Sequence, residues 1–144
     1  MYWDTSAILK LYVAEPDSST FLGLIARADG QVLSSAIASV EMLIVLHRKE
    51  RGGDLKSGSA RIILEKFLDD KRQGRVIEIP FGPGVVEEAR NLAKLVFRQP
   101  HPIPLGSLDA IHISSAITAK ARAIVAADIR LRQIASLAGL QVLP

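Results

Sequence analysis

Met1-Tyr2-Trp3-Asp4-Thr5-Ser6-Ala7-Ile8-Leu9-Lys10-Leu11-Tyr12 opens the chain with a short apolar lead that runs directly into an acid and two hydroxyls. Ala7, Ile8, Leu11 and Tyr12 then recur at helical spacing, so the stretch predicts a strand that becomes a helix at Asp4. That helix must stop near Glu15-Pro16, because the residue before a proline is pushed out of the α region. An aspartate at this turn has two uses. It can cap the helix, accepting a backbone N–H two or three residues on. It can also present a carboxylate at the carboxyl end of a strand, where open α/β sheets bind ligands.

The second use requires further acids in comparable places, and the sequence holds three. Ala123-Ile124-Val125-Ala126-Ala127 reads as a buried strand that ends at Asp128, and Ile129 to Ala138 follows as a helix closed by Gly139. Glu41 lies inside the apolar run from Ser35 to about Arg51, four after Ile37, three before Ile44 and four before Val45. Helical geometry puts its carboxylate on the same face as those side chains. A buried ionised carboxylate is expensive, so it needs a cation, hydrogen bonds or a raised pKa. Asp109 falls in the first turn of a helix opened by Gly106-Ser107-Leu108-Asp109-Ala110, with Ser107 the expected cap; an acid there also complements the helix dipole. His112, one turn on, could bond Asp109 or simply pack. The spacing matches no zinc motif such as H-E-x-x-H, and His101 reads as a surface histidine.

Elsewhere, Asp17-Ser18-Ser19 can cap a second helix carrying Phe21, Leu22 and Ile25 and ending at Asp29-Gly30. Gln31 to Ser34 reads as a strand. Asp54 and Ser57 offer caps for a helix through Lys71, striped by Ala60, Ile63, Leu64, Phe67 and Leu68, so that Ser35 to Lys71 forms an αα-hairpin around Gly52-Gly53. Its outer face is a candidate partner surface. Arg75 to Ile79 alternates into a third strand, Val85 to Arg98 is a helix, and Pro100, Pro102 and Pro104 enforce a loop. Leu140 to Leu143 is a last strand. Strands alternating with helices predict one α/β domain over residues 1–144 with a largely parallel sheet.

Composition narrows the function classes. At 144 residues, 49% hydrophobic and 23% charged, the chain has the makeup of a soluble globular domain able to bury roughly 70% of its unfolded surface. Without cysteine, disulfide scaffolds, thiolate metal sites and Cys nucleophiles are excluded, and a cytoplasmic location is the expectation. No run approaches the roughly 18 apolar residues of a membrane span. A formal charge of +3 leans towards an anionic partner. The cluster His47-Arg48-Lys49-Glu50-Arg51 contributes to it, although cations at a helix C-terminus read equally well as dipole partners. Gly-rich phosphate loops, G-x-S-x-G and triad spacings are missing.

If Asp4, Glu41, Asp109 and Asp128 converge, their repulsion is tolerable only with bound cations or protonation. Oxygen-only ligands of high charge select a hard ion, Mg²⁺ or Mn²⁺, which can clamp a phosphodiester and activate water. At these residues the chain resembles PIN-domain proteins, particularly VapC-type toxins. The resemblance rests on Tyr2 to Tyr12, Glu41, Ser107-Leu108-Asp109-Ala110 and Ala127-Asp128, and extends from Met1 to Pro144.

It implies a three-layer α/β/α sandwich with strand order 3-2-1-4-5, and a metal-dependent endoribonuclease whose four acids bind the cation. Ser6 would orient the attacking water, with Thr5 a weaker candidate. Such toxins are usually homodimers silenced by a small antitoxin, for which the helices between Ser35 and Lys71 are the expected platform. Lys10, Arg130 and Arg132 are candidate RNA phosphate contacts. Two positions depart from the family pattern: Ala126 replaces a common threonine, and Trp3 an aliphatic residue. The alternative is a catalytically silent module that binds RNA or a protein partner. An aspartyl-phosphate enzyme is disfavoured, since no second acid follows Asp4 at D-x-D spacing.

Overall fold

The computed structural model describes residues 1–27 and 31–144. Its elements are, in order, β1 (Tyr2–Trp3), α1 (Thr5–Tyr12), α2 (Ser18–Arg27), β2 (Val32–Ser35), α3 (Ala38–Arg51), α4 (Ser59–Arg72), β3 (Val76–Ile79), α5 (Pro83–Phe97), α6 (Ser107–Thr118), β4 (Ala123–Val125), α7 (Ile129–Leu137) and β5 (Gln141–Leu143). The expected stop of the second helix at Asp29-Gly30 lies outside the described residues.

The strands form one all-parallel sheet in the order β3-β2-β1-β4-β5, as the resemblance implied. Alternation along the strands explains the three layers, because successive side chains leave opposite faces. Trp3 and Val125 enter a core with α1 to α4, while Tyr2 and Ile124, their neighbours in register, enter a second core with α5, α6 and α7. Parallel sheets are covered on both faces in this way, which is why β1 and β4 read as unbroken apolar runs.

Several local expectations are corrected. Ser35 belongs to β2, paired with Ile79, so α3 starts at Ala38. Neither Asp54 nor Ser57 caps α4. Its N-cap is Gly58, with φ +83° and no side-chain bond, and the Ala60 N–H is taken instead by Glu50 Oε2 of α3 at 2.7 Å. Ser107 is not a cap either; Gly106 holds that position for α6. On α3, Met42 and Leu46 are buried, whereas Val40, Leu43 and Ile44 are 58%, 41% and 49% exposed, so the run between Ile37 and Leu46 is only half core.

Candidate functional site

β1 and β4 lie side by side, and the chain leaves both at the same edge. The Asp4 N–H donates to the Val125 carbonyl at 3.0 Å. Asp4 is then the N-cap of α1, its Oδ1 accepting the Ala7 N–H at 2.8 Å, and Asp128 is the N-cap of α7, its Oδ1 accepting the Arg130 and Leu131 N–H groups at 2.7 and 3.2 Å. Glu41 stands in the first turn of α3 and Asp109 in the first turn of α6. All four acids line one cleft of about 400 Å³, together with Thr5, Ser6, Leu9, Ile44, Val45, Arg48, Leu108, His112 and Leu131. The face that Glu41 shares with Ile44 and Val45 is therefore a wall of this cleft, with Val45 also packed against the core.

The acids share the cleft without forming a cage: among the described residues no group of three or more His, Asp or Glu side chains is gathered to hold a metal. Asp4 is 3% exposed. Burial raises its carboxyl from 3.8 to about 6, the charge of Glu41 adds to the rise, and His112, the Ser6 hydroxyl and the Ala7 N–H oppose it. Asp109 is also raised, by burial first and then by the charge of Asp128. Glu41 goes the other way. Burial raises it, but the hydrogen bond and charge of His112 and the Thr5 hydroxyl outweigh that and hold the carboxyl below its ordinary value.

Ser6 ties the site together. Its hydroxyl reaches Asp4 Oδ1 and Oδ2 at 2.8 and 2.7 Å and accepts the Ala127 N–H at 3.0 Å, joining the ends of β1 and β4. Thr5 is 7% exposed and turned inward, donating to Glu41 Oε2. His112 does not bond Asp109. Its Nδ1 lies 2.8 Å from the Tyr2 hydroxyl, and its Nε2 is 2.7 Å from Glu41 Oε2 and 3.2 Å from Thr5 Oγ1.

The basic candidates separate. Lys10 is held by Glu15 and Asp17 at 2.5 and 2.6 Å and is not among the cleft-lining residues. Arg130 does not line the cleft either but lies 3.6 Å from Asp128, which does, while Arg132 lines a different depression with Ile129 and Gln133. Sequence reasoning missed Arg48, an exposed cation that lines the cleft. The cluster His47 to Arg51 was its signal, set aside because helix-end cations are common.

The family model for the PIN domain matches residues 1–137. No curated protein matches the chain. Among solved structures it is similar to VapBC2 from Rickettsia felis bound to a DNA fragment from their promoter, with TM-score 0.71 and 17% identity over 99% of this chain and 98% of that one. It is similar also to VapBC-1 from nontypeable Haemophilus influenzae, with TM-score 0.64 and 15% identity over 99% and 95% of the two chains. At these identities the likeness is one of fold.

Proposed function

This chain belongs to the PIN domain family, and from that membership and the acid-lined cleft we propose that it is a metal-dependent endoribonuclease, the toxin of a toxin–antitoxin pair. The observation that carries the reading is the placement of four carboxylates, from β1–α1, α3, α6 and β4–α7, around one cleft at the carboxyl edge of the sheet.

The donor set fits Mg²⁺ or Mn²⁺. All four side chains offer oxygen, Asp4 is buried and ionises reluctantly, and Mg²⁺ is ordinarily held by one or two carboxylates with water and substrate phosphate completing the shell. Asp4, Glu41, Asp109 and Asp128 would hold it. When bound, the cation supplies charge stabilisation to the phosphoryl oxygens and a lowered pKa for the attacking water. The protein's own groups do the rest. Ser6 fixes the Asp4 carboxylate against Ala127, and Arg48 and Arg130 offer guanidinium groups to the phosphates that flank the cut. Leu108, 50% exposed at the rim, gives an unstacked base an apolar surface. Without a cation the four acids repel RNA, so binding of metal and of substrate belong together.

The antitoxin would dock on the α3–α4 hairpin, where Val40, Ile44 and Ile62 are 58%, 49% and 68% exposed. A homodimer in the cytoplasm completes the proposal. The test is cleavage of total RNA by purified protein in Mg²⁺ or Mn²⁺, with the cut sites mapped. Cutting that persists in EDTA, or an Asp4→Asn variant as active as wild type, would overturn it. The uncaged arrangement of the acids favours one second reading, a silent module that binds RNA or protein; metal or RNA binding with no cut under any divalent ion would select it.

A further inference from the structure

Resting on that reading of the cleft, we infer that Tyr2 and His112 form a positioning relay that fixes the Glu41 carboxylate for cation binding. His112 is 2% exposed and Tyr2 is fully buried. The Tyr2 hydroxyl is a phenolic O–H, and its side-chain partner here is His112. Nε2 of His112 faces a carboxylate oxygen at 2.7 Å. Two acceptors at that distance repel, so the imidazole proton belongs on Nε2. In the neutral imidazole Nδ1 then carries the lone pair, which matches the Tyr2 O–H at 2.8 Å.

The polarity of the chain thus runs one way, from the Tyr2 O–H into Nδ1 and from Nε2–H into Glu41 Oε2. The Thr5 hydroxyl donates to the same oxygen. Both bonds land on Oε2, and Oε1 is left to the cleft. Glu41 stands on the partly exposed side of α3, with its side chain 19% exposed; a glutamate there without the relay would sample several rotamers, and ordering it would weaken cation binding. Partners of this kind behind a ligand commonly change metal affinity by roughly 10- to 100-fold when removed.

The experiment has a metal-free arm and a metal arm. Imidazole ¹⁵N shifts of the metal-free protein should report Nε2–H and a bare Nδ1 for His112, and Tyr2→Phe should mix the tautomers. Mn²⁺ titration followed by electron paramagnetic resonance should give roughly tenfold weaker binding for His112→Leu and Tyr2→Phe. His112→Gln, whose amide N–H reaches about as far as Nε2, should recover most of it, a rescue that simple core filling would not produce. Melting curves check that each variant folds, and if His112→Leu does not, Tyr2→Phe decides by the same measure. Wild-type protein with a proton on Nδ1, alone or together with one on Nε2, or folded variants that bind Mn²⁺ within about twofold of wild type, would sink the relay.

RNA cleavage is scored separately. A wild type that shows the tautomer, binds Mn²⁺ and loses affinity in the variants but cuts no RNA removes the ribonuclease and keeps the relay. A wild type that cuts while its variants bind normally does the reverse. Failure to bind Mn²⁺ at all removes both.

Discussion

Asp4→Asn separates the charge of this side chain from its shape. The amide oxygen can keep the Ala7 N–H and the Ser6 hydroxyl that Asp4 Oδ1 accepts, both at 2.8 Å, and asparagine is as good an N-cap as aspartate. What the substitution removes is ionisation in a buried place. The folded carboxyl sits at about 6 against an ordinary 3.8, a gap of about two units at about 1.4 kcal/mol each, or about 3 kcal/mol. The sign follows from proton counting. The folded state holds the proton more tightly than the unfolded one, so stability falls as pH rises from 3.8 to about 6, and the whole penalty is present above that. Asp4→Asn escapes it. In EDTA the variant should be up to about 3 kcal/mol more stable than wild type at pH 7.5 and equal to it near pH 4, as read by urea unfolding across that range. Added Mg²⁺ should reverse the order, stabilising wild type by mass action and leaving the variant unmoved. A variant less stable than wild type at pH 7.5 in EDTA, or a difference that does not change with pH, would refute the argument.

Gly106→Ala should trade activity for nothing in stability. The backbone there, φ −80° and ψ 152°, suits alanine, but its Cβ would lie 3.1 Å from Asp109 Oδ2; cleavage should drop roughly tenfold through misplacement of that carboxylate, while the unfolding free energy in urea stays within about 1 kcal/mol of wild type. Lys10→Ala should leave RNA cleavage within about twofold, since its ammonium is already engaged by Glu15 and Asp17. Arg48→Ala should instead raise KM several-fold with kcat little changed and flatten the salt dependence of RNA binding. Equal effects at the two positions would return Lys10 to the substrate path.

Elements whose signals are local were legible in the sequence. Asp4 and Asp128 cap the helices that follow them, and the strand order implied by the family resemblance is the one observed, although α1 already stops at Tyr12, short of the Glu15-Pro16 expected to end it. Features set by distant partners were not. The cap of α4 comes from Glu50 across the hairpin, and no window around Asp54 or Ser57 contains that information. At α6 the acid three residues inside the helix serves Gly106: Asp109 is stabilised by that backbone N–H, which is half of a capping box and makes a Ser107 cap unnecessary. Ile44 reads as part of a buried face with Glu41, yet it is 49% exposed, because composition cannot say which stripe of an apolar helix finds a neighbour. His112 was ambiguous for the same reason, since its partners Tyr2 and Glu41 lie 110 and 71 residues away.

Capping and metal binding need not be rival roles for these acids, because one geometry serves both. In a parallel sheet the chain leaves the carboxyl end of a strand and turns into a helix, so the unpaired N–H groups of the helix N-termini gather at the rim where ligands bind. β1, β2 and β4 do this with α1, α3 and α7, and α6 brings Asp109 to the same rim from the loop after α5. Four helix ends, each equivalent to about half a positive charge, help four carboxylates share one cleft. The compensation leaves them as pairs, Asp4 sensing Glu41 and Asp109 sensing Asp128. A hard divalent ion held by one such pair lacks most of its shell, and substrate phosphate oxygens are the natural remainder. Mn²⁺ should therefore bind the free protein modestly and at least several-fold more tightly beside a non-hydrolysable dinucleotide, in a titration run with and without it. Equal affinities would mean that the protein closes the shell alone, and that the four acids act as a cage when loaded.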